Sequence, residues 1–483
     1  MKVEDFRTYA HQIVDWSYDF FKNLRNLPVK SKSQYGDLRI ELPLIPPQQG
    51  EAFEDIWSDF CTKIVPRVNH WQHPYFFAYF PMNSSFPSLL ADMATSVLNT
   101  QAMSWEMSPA ATELEETVLS WIQQEMRLPV AVRGVIHDTA STSTLCALMA
   151  ARDRATGYKM WQEGFNVTNK NLILYTSQEA HSSNEKAHLM LGLGLKNIRK
   201  ISVDAQGSMS VSHLRQSIQE DLSAGNLPYA LVGCFGTTGI GAIDPLRELS
   251  EIAQEFKLWF HIDAAYGGPT LLLKEFQEKY RVRHWNFDSF VFNPHKWMLT
   301  GFDCSVLYVK NSLEYQRTFQ MTPAPYLNDG DALDNDMPTQ YRNWGPALGR
   351  RFRALKLWFV LRSYGMEGIQ KYLKSHLKMA QHFASQLKLM DHIQVENTIH
   401  FSLVCFRFAP KDNDRSLEDI NLFNQRWLQS INGAGLYLSP TVIEGNVFVL
   451  RFAVGSTFCE MRDIDHALQV IKNTFLELQS QSK

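Results

Sequence analysis

The sequence predicts an α/β protein with a mostly parallel central sheet, preceded by a helical arm and followed by a small α+β unit. Three observations carry this. Between about residues 79 and 350, short apolar runs alternate with helical stretches, the pattern of βαβ units whose parallel strands each need a crossover. Before that, apolar residues recur at helical spacing. After residue 351 a long helical stretch gives way to β-rich runs and a closing helix. The 483 residues suffice for roughly two to four compact units.

The arm covers residues 1–78. Phe6, Ile13, Val14, Tyr18, Phe20, Phe21 and Leu24 repeat near the helical period, and the proline-rich stretch 42–47 breaks the region in two. So short and aromatic a segment cannot bury its apolar face alone, and is expected to pack on another domain or a second subunit. In the large unit, 79–350, the run 172–175 leads to a helix from near Ser182, and 198–203 leads to one around 214–222. The run 229–235 precedes a helix at 245–256, and 258–262 ends at Asp263. The last unit, 351–483, reads as a helix over 352–383, strands near 399–408 and 446–454, and a helix over 461–479. Residues 323–338, rich in Asp, Asn, Gly and Pro, read as a loop.

Composition narrows the function. Lys plus Arg is 47 and Asp plus Glu is 50, a net charge of −3 without any charge block, which argues against nucleic-acid binding by phosphate neutralisation. The six cysteines are dozens of residues apart. That spacing fits free thiols in a reducing cytoplasm better than a zinc knuckle or a disulfide framework. The charged start lacks the apolar core of a signal peptide, and no run reaches the ~18 apolar residues of a membrane span. His70 and His73 stand at HxxH spacing without a nearby third ligand, so no metal is expected. There is no GxGxxG, Walker or GxSxG motif.

The chemistry sits at strand ends. Lys296 follows the apolar run 289–292, where open α/β sheets place ligands. Among apolar neighbours it could form a Schiff base, although a single lysine past a strand is more often a surface residue. Asp263 ends the run 258–262. A carboxylate there would keep the ring nitrogen of pyridoxal phosphate protonated, so that the ring accepts the electrons of a breaking bond. Taken singly, such an aspartate is commonly a cap. Ala265, two residues on, is small enough to lie under a flat ring. The hydroxyl-rich stretch 139–144 opens a helix and suits a phosphate, as does Gly236-Thr237-Thr238-Gly239. Either could equally be an ordinary cap. His181 follows the run 172–175 and could stack on a ring or serve only as a hydrogen-bonder. Together, four or five strand ends offer the groups one cofactor requires.

At this point the chain resembles the group II, fold type I pyridoxal-phosphate decarboxylases, specifically the aromatic-L-amino-acid decarboxylases. The resemblance runs over nearly the whole length. It is most specific in HWQHPYFFAYFP (70–81), SPAATELE (108–115), HIDAAYGG (261–268), FNPHKW (292–297) and LGRRFRALKLWFVLRSYG (348–365). It implies that Lys296 carries pyridoxal 5'-phosphate, that Asp263 partners the pyridine nitrogen, and that His181 and Ala265 flank the ring. It implies phosphate-side and neighbouring contacts from Ala140, Ser141, Thr238, Asn293 and His295. Tyr326, in the loop 323–338, matches the tyrosine that protonates the substrate carbon.

For the substrate the resemblance points to His70, Trp71, Tyr79, Phe80, Pro81, Met82, Gln101, Met103 and Gly349. Glycine at 349 goes with indolic or catecholic rings, serine with phenolic ones or histidine. Gln101 and Met103 depart from an Ile and a Phe in a segment that reaches the neighbouring subunit's site, and Met82 replaces a threonine. The Gln101 amide either meets a ring substituent or stands clear of it. Arg451 could bind a carboxylate as in related aminotransferases, and is read as structural. The implied protein is a homodimer that converts an aromatic L-amino acid (tryptophan, 5-hydroxytryptophan, DOPA, phenylalanine or tyrosine) to its amine and CO2. The alternatives are an oxygen-dependent aldehyde synthase and a non-catalytic binding module. Phe at the loop position or Asn at the histidine position would mark the aldehyde-forming relatives, and this chain has neither.

Overall fold

The computed structural model describes residues 1–320, 338–410 and 415–481, apart from the side chains of Trp161 and Gln162. Seven strands form the central sheet: β1 (Arg133–His137), β2 (Leu172–Ser177), β3 (Ile198–Ile201), β4 (Leu227–Cys234), β5 (Trp259–Asp263), β6 (Ser289–Phe292) and β7 (Ser305–Val309). Their order is β1-β7-β6-β5-β4-β2-β3. Neighbours from β3 through β6 run parallel, and only β7 is antiparallel to both of its partners. The carboxyl ends of β1, β2, β4, β5 and β6 therefore open on one edge. These strands read as almost unbroken apolar runs because helices cover both faces. Val135, Leu174, Val232 and Val291 pack beneath the helix Ala140–Ala155. Ile136, Ile173, Leu231 and Phe290 pack with the helices Val211–Ser223 and Leu246–Glu255 on the opposite face.

A second, antiparallel sheet has the order β10-β11-β9-β8, with β8 (Ile393–Val395), β9 (Leu403–Phe408), β10 (Ser439–Ile443) and β11 (Val447–Ala453). Phe383, Phe406, Trp427 and Phe475 fill its helix-covered face. Three features differ from the sequence reading. The strand expected near 399–408 starts only at Leu403, because His400 N–H bonds back to the Thr398 carbonyl in a turn. The strands β8 and β10 escape a pattern search: β8 has 3 residues, and β10 has 5, one of them Pro440. The long helix spans Ala354–Leu387 but is interrupted at Gly365, whose φ of 61° and ψ of 174° no helical residue adopts.

The arm is less helical than its periodicity predicts. Val3–Asn23, Asp37–Glu41 and Phe53–Asp59 are α-helices, while residues 27–36, 42–52 and 68–85 are mostly irregular. Its first helix has no buried residue. Among the described residues, no helix is long and apolar enough to cross a membrane.

Candidate active site

The sheet topology brings the strand-end groups to one cavity of about 200 Å³. β6 ends at Phe292, and a one-turn helix, Pro294–Trp297, begins immediately after Asn293. Lys296 lies in that turn and lines the cavity. Burial pulls its amine below the ordinary lysine value. The Asp263 carboxylate opposes this, and the Arg451 cation adds to it. Asp263 ends β5, and its Oδ1 accepts the Ala265 N–H at 3.0 Å. Asn293 N–H in turn donates to the Ala265 carbonyl at 3.1 Å, which laces the two strand ends together. Gly267 permits this packing, since a Cβ there would lie 2.3 Å from the Phe235 carbonyl oxygen.

His181 sits beyond β2, and its Nδ1 accepts the Ser183 N–H at 3.1 Å. That bond leaves the proton of the neutral ring on Nε2. Burial lowers the imidazole's pKa; Asp263 raises it and Lys296 lowers it further. On another side, β1 runs through Thr139 into the helix Ala140–Ala155. The expected hydroxyl-rich turn is already helical from Ala140, five residues before the periodicity signals it. Ala140, Ser141 and Thr142 are therefore first-turn residues, whose amides have no carbonyl within the helix to bond. The first helical bond is Ser143 N–H to the Thr139 carbonyl, 3.1 Å. Facing it, Gly236 adopts φ 104°, and Thr237 closes a turn with Ala242 at 2.9 and 3.0 Å, so that Thr238 meets the cavity.

Ala140, Ser141, His181, Thr238, Asp263, Ala265, Asn293, His295 and Lys296 thus line one cavity. Burial pushes His295 down to about 3, and its Nδ1 accepts the Cys304 N–H at 3.0 Å, so it is a neutral ring. Ser183, Cys234 and Tyr266 also line the cavity and were missed. Tyr266 had a signal in HIDAAYGG, whereas nothing in the local sequence marks the other two. Phe80 stacks on Tyr266 (3.7 Å between centroids, 15° between planes), and Tyr266 stacks on Trp297 (4.8 Å, 6°).

Of the nine substrate positions, Phe80 alone lines this cavity. Trp71 packs on Phe76 and Tyr79, and His70 is buried against Phe20. Pro81 lies against Gly455, and the Met82 carbonyl accepts from Gln72 at 2.7 Å. Met103 is buried, and its carbonyl accepts the Arg342 N–H at 2.8 Å. Gln101 and Gly349 are exposed and touch each other. Tyr326 lies outside the described residues.

The profile described as "Pyridoxal-dependent decarboxylase conserved domain" matches residues 36–409. The chain belongs to the pyridoxal-dependent decarboxylase family. Among similar proteins are tryptophan decarboxylase 2 of Oryza sativa subsp. japonica, 37% identical over 98% of this chain and 95% of that one, and phenylacetaldehyde synthase of Petunia hybrida, 38% identical over 97% and 94%. The structure of Oryza sativa TDC with PLP and tryptamine superposes with a TM-score of 0.93 at 32% identity, covering 99% of both chains. Pyridoxal phosphate is the cofactor of this family, and the cavity fits it. The buried Asn293 Oδ1 lacks a partner, a first helical turn offers amides to a phosphate, and a lysine and a carboxylate stand at adjacent strand ends.

Proposed function

We propose that the chain decarboxylates an aromatic L-amino acid, of the tryptophan, 5-hydroxytryptophan, DOPA, phenylalanine or tyrosine class, to the arylalkylamine and CO2. The observation that carries this reading is the convergence of Lys296, Asp263 and His181 on one cavity walled by Phe80 and Tyr266. When bound, pyridoxal phosphate supplies an electron sink for the bond to the departing carboxylate.

The chain's own residues do the rest. Lys296 would hold the cofactor covalently through its amine. Asp263 keeps a proton on the pyridine nitrogen. His181 and Ala265 would flank the cofactor ring, and the amides of Ala140 and Ser141, with Thr238, would hold its phosphate. Asn293 and His295 fix the turn that carries the lysine. Tyr326 donates the proton to the substrate carbon, as the resemblance implies.

A second copy completes the assembly. Phe86, Leu90, Met93, Val97 and Leu98 on the helix Phe86–Leu98 are exposed, and no residue of the arm's first helix is fully buried in its own chain. A homodimer covers both, and in it Gln101, Met103 and Gly349 face the partner's site. The six unpaired cysteines are consistent with a cytoplasmic protein.

The similarity to an aldehyde synthase supports a second reading, oxygen-dependent aldehyde formation. Incubation with a panel of aromatic amino acids, measuring amine, hydrogen peroxide and ammonia together, separates the two. Amine without peroxide is expected, and stoichiometric peroxide would overturn the proposal.

A further inference from the structure

Arg451 lies on β11, opposite Ser439 of β10 and Cys405 of β9, and is 3% exposed. Its Nε donates to the Gly239 carbonyl at 2.9 Å and its Nη1 to Ser439 Oγ at 2.8 Å. Among the described residues its buried Nη2 has no partner, and no carboxylate pairs with it. Burying a cation is costly, and a fold ordinarily offsets the cost with an opposite charge. Here it does not. Instead the guanidinium stands 5.2 Å from the centroid of Phe80, and Lys296 Nζ stands 5.6 Å from the same centroid. One ring, stacked on Tyr266, thus faces both the guanidinium and the lysine amine.

We propose that Arg451 is a positioning residue for Lys296: its unpaired guanidinium, held against the shared ring of Phe80, disfavours the ammonium form and keeps the lysine amine neutral. A neutral amine is the form that attacks a carbonyl, and a neighbouring cation is one way to obtain it at neutral pH. The groups that act on Lys296 are Asp263 from β5, His181 from beyond β2, His295 on the same turn, and Arg451 from β11. Asp263 favours the charged amine. The exposed His181 ring and the buried His295 ring are both shifted toward the neutral form and do not counter it, which leaves Arg451 as the opposing charge.

The inference rests on Lys296 being the cofactor lysine, and the test separates the two claims. Holoenzyme is titrated with alkali while the absorption band of its lysine-bound cofactor is followed, and a borohydride-reduced sample is mapped by mass spectrometry. For Arg451→Met the midpoint is expected to rise by about one unit, a tenfold change in proton affinity. Arg451→Lys, which retains the charge, and Ser439→Ala, which removes only the Nη1 partner, are expected to keep the wild-type midpoint. If the label falls on Lys296 but Arg451→Met titrates like wild type, or Ser439→Ala shifts as far, the electrostatic role is overturned. A label on another residue would instead overturn the cofactor assignment. Should Arg451→Met fail to fold, Arg451→Gln, which removes the charge but keeps hydrogen-bond donors, must raise the midpoint while Arg451→Lys does not.

Discussion

Arg350 ties the front of the sheet to the surface segment beside it, and removing it has a cost that can be worked out. Its Nη2 lies 2.7 Å from Glu115 Oε1, with side-chain exposures of 5% and 1%. The same guanidinium donates to the carbonyls of Ala102 (2.9 Å) and Ile136 (3.1 Å), while Glu115 Oε1 accepts the Ile136 N–H at 2.8 Å. Arg350→Met leaves the Glu115 charge buried with only an amide to face it, and losing one partner of such a pair costs about 3–5 kcal/mol. At ~2.1 cal/mol/K per residue, the unfolding entropy of a 483-residue chain is about 1 kcal/mol/K, so the expected loss is about 3–5 °C in Tm. Glu115→Gln should fall by a similar amount. The double variant should be less destabilised than the two losses combined, because neither orphaned charge remains. Calorimetry at one scan rate with saturating pyridoxal phosphate measures all three. Strict additivity, or shifts below 1 °C in both single variants, would refute the clamp. Ile136 leads directly to Thr139, so Arg350→Met should also release cofactor faster.

Three further outcomes are expected. Burial holds His73, His137, His188 and His261 near 4 and His295 and His376 near 3, against an ordinary 6.5. The unfolded chain therefore binds more protons below about 6.5, and stability should fall as pH drops from there toward 4; a Tm flat across that window would contradict this. Asp244, pushed up to about 7 by burial, opposes the trend, as do the Glu179 and Asp463 carboxyls that burial also raises. His376→Gln, which retains an acceptor for Trp297 Nε1, should flatten the decline. Asp263→Asn should bind cofactor yet lower kcat by ~10²–10³-fold, and near-normal turnover would remove Asp263 from the proposed chemistry. Finally, a Cβ at Gly349 would sit 3.2 Å from Gln101 Nε2, and Gln101 Oε1 is held by the Arg350 N–H at 2.7 Å. Gly349→Ser should therefore cost about 1 kcal/mol, roughly fivefold in kcat/KM, and Gln101→Ala in that background should recover it. Failure to recover would mean that the serine acts on substrate directly.

The local sequence determined a great deal of this protein. The strand β6 and its lysine, the carboxylate closing β5, and the histidine after β2 are all legible, because a buried parallel strand is a continuous apolar run and the residue at its end is where that run stops. The cofactor followed from the residue types at those ends. Other features were not legible, each for a physical reason. The start of the helix at Ala140 was hidden because Ser, Thr and Ala carry no apolar periodicity until Leu145. The strands β8 and β10 are short or contain proline, so neither carries a run long enough to stand out, although each pairs with the strand that follows it. Ser183 and Cys234 reach the cavity only because separate strand ends converge there.

The tertiary structure alone decided which substrate positions share a cavity with Lys296 in one chain. Phe80 does, because Tyr266 and Trp297 stack behind it, while Gln101 and Gly349 meet each other on the surface. It alone also placed Arg451, from a strand some 150 residues later, against the same ring as the lysine. Sequence sets what a strand end can offer, because that is a matter of residue type and burial pattern. Which ends meet depends on the order of strands in the sheet and on close packing between distant segments, and these are properties of the folded chain.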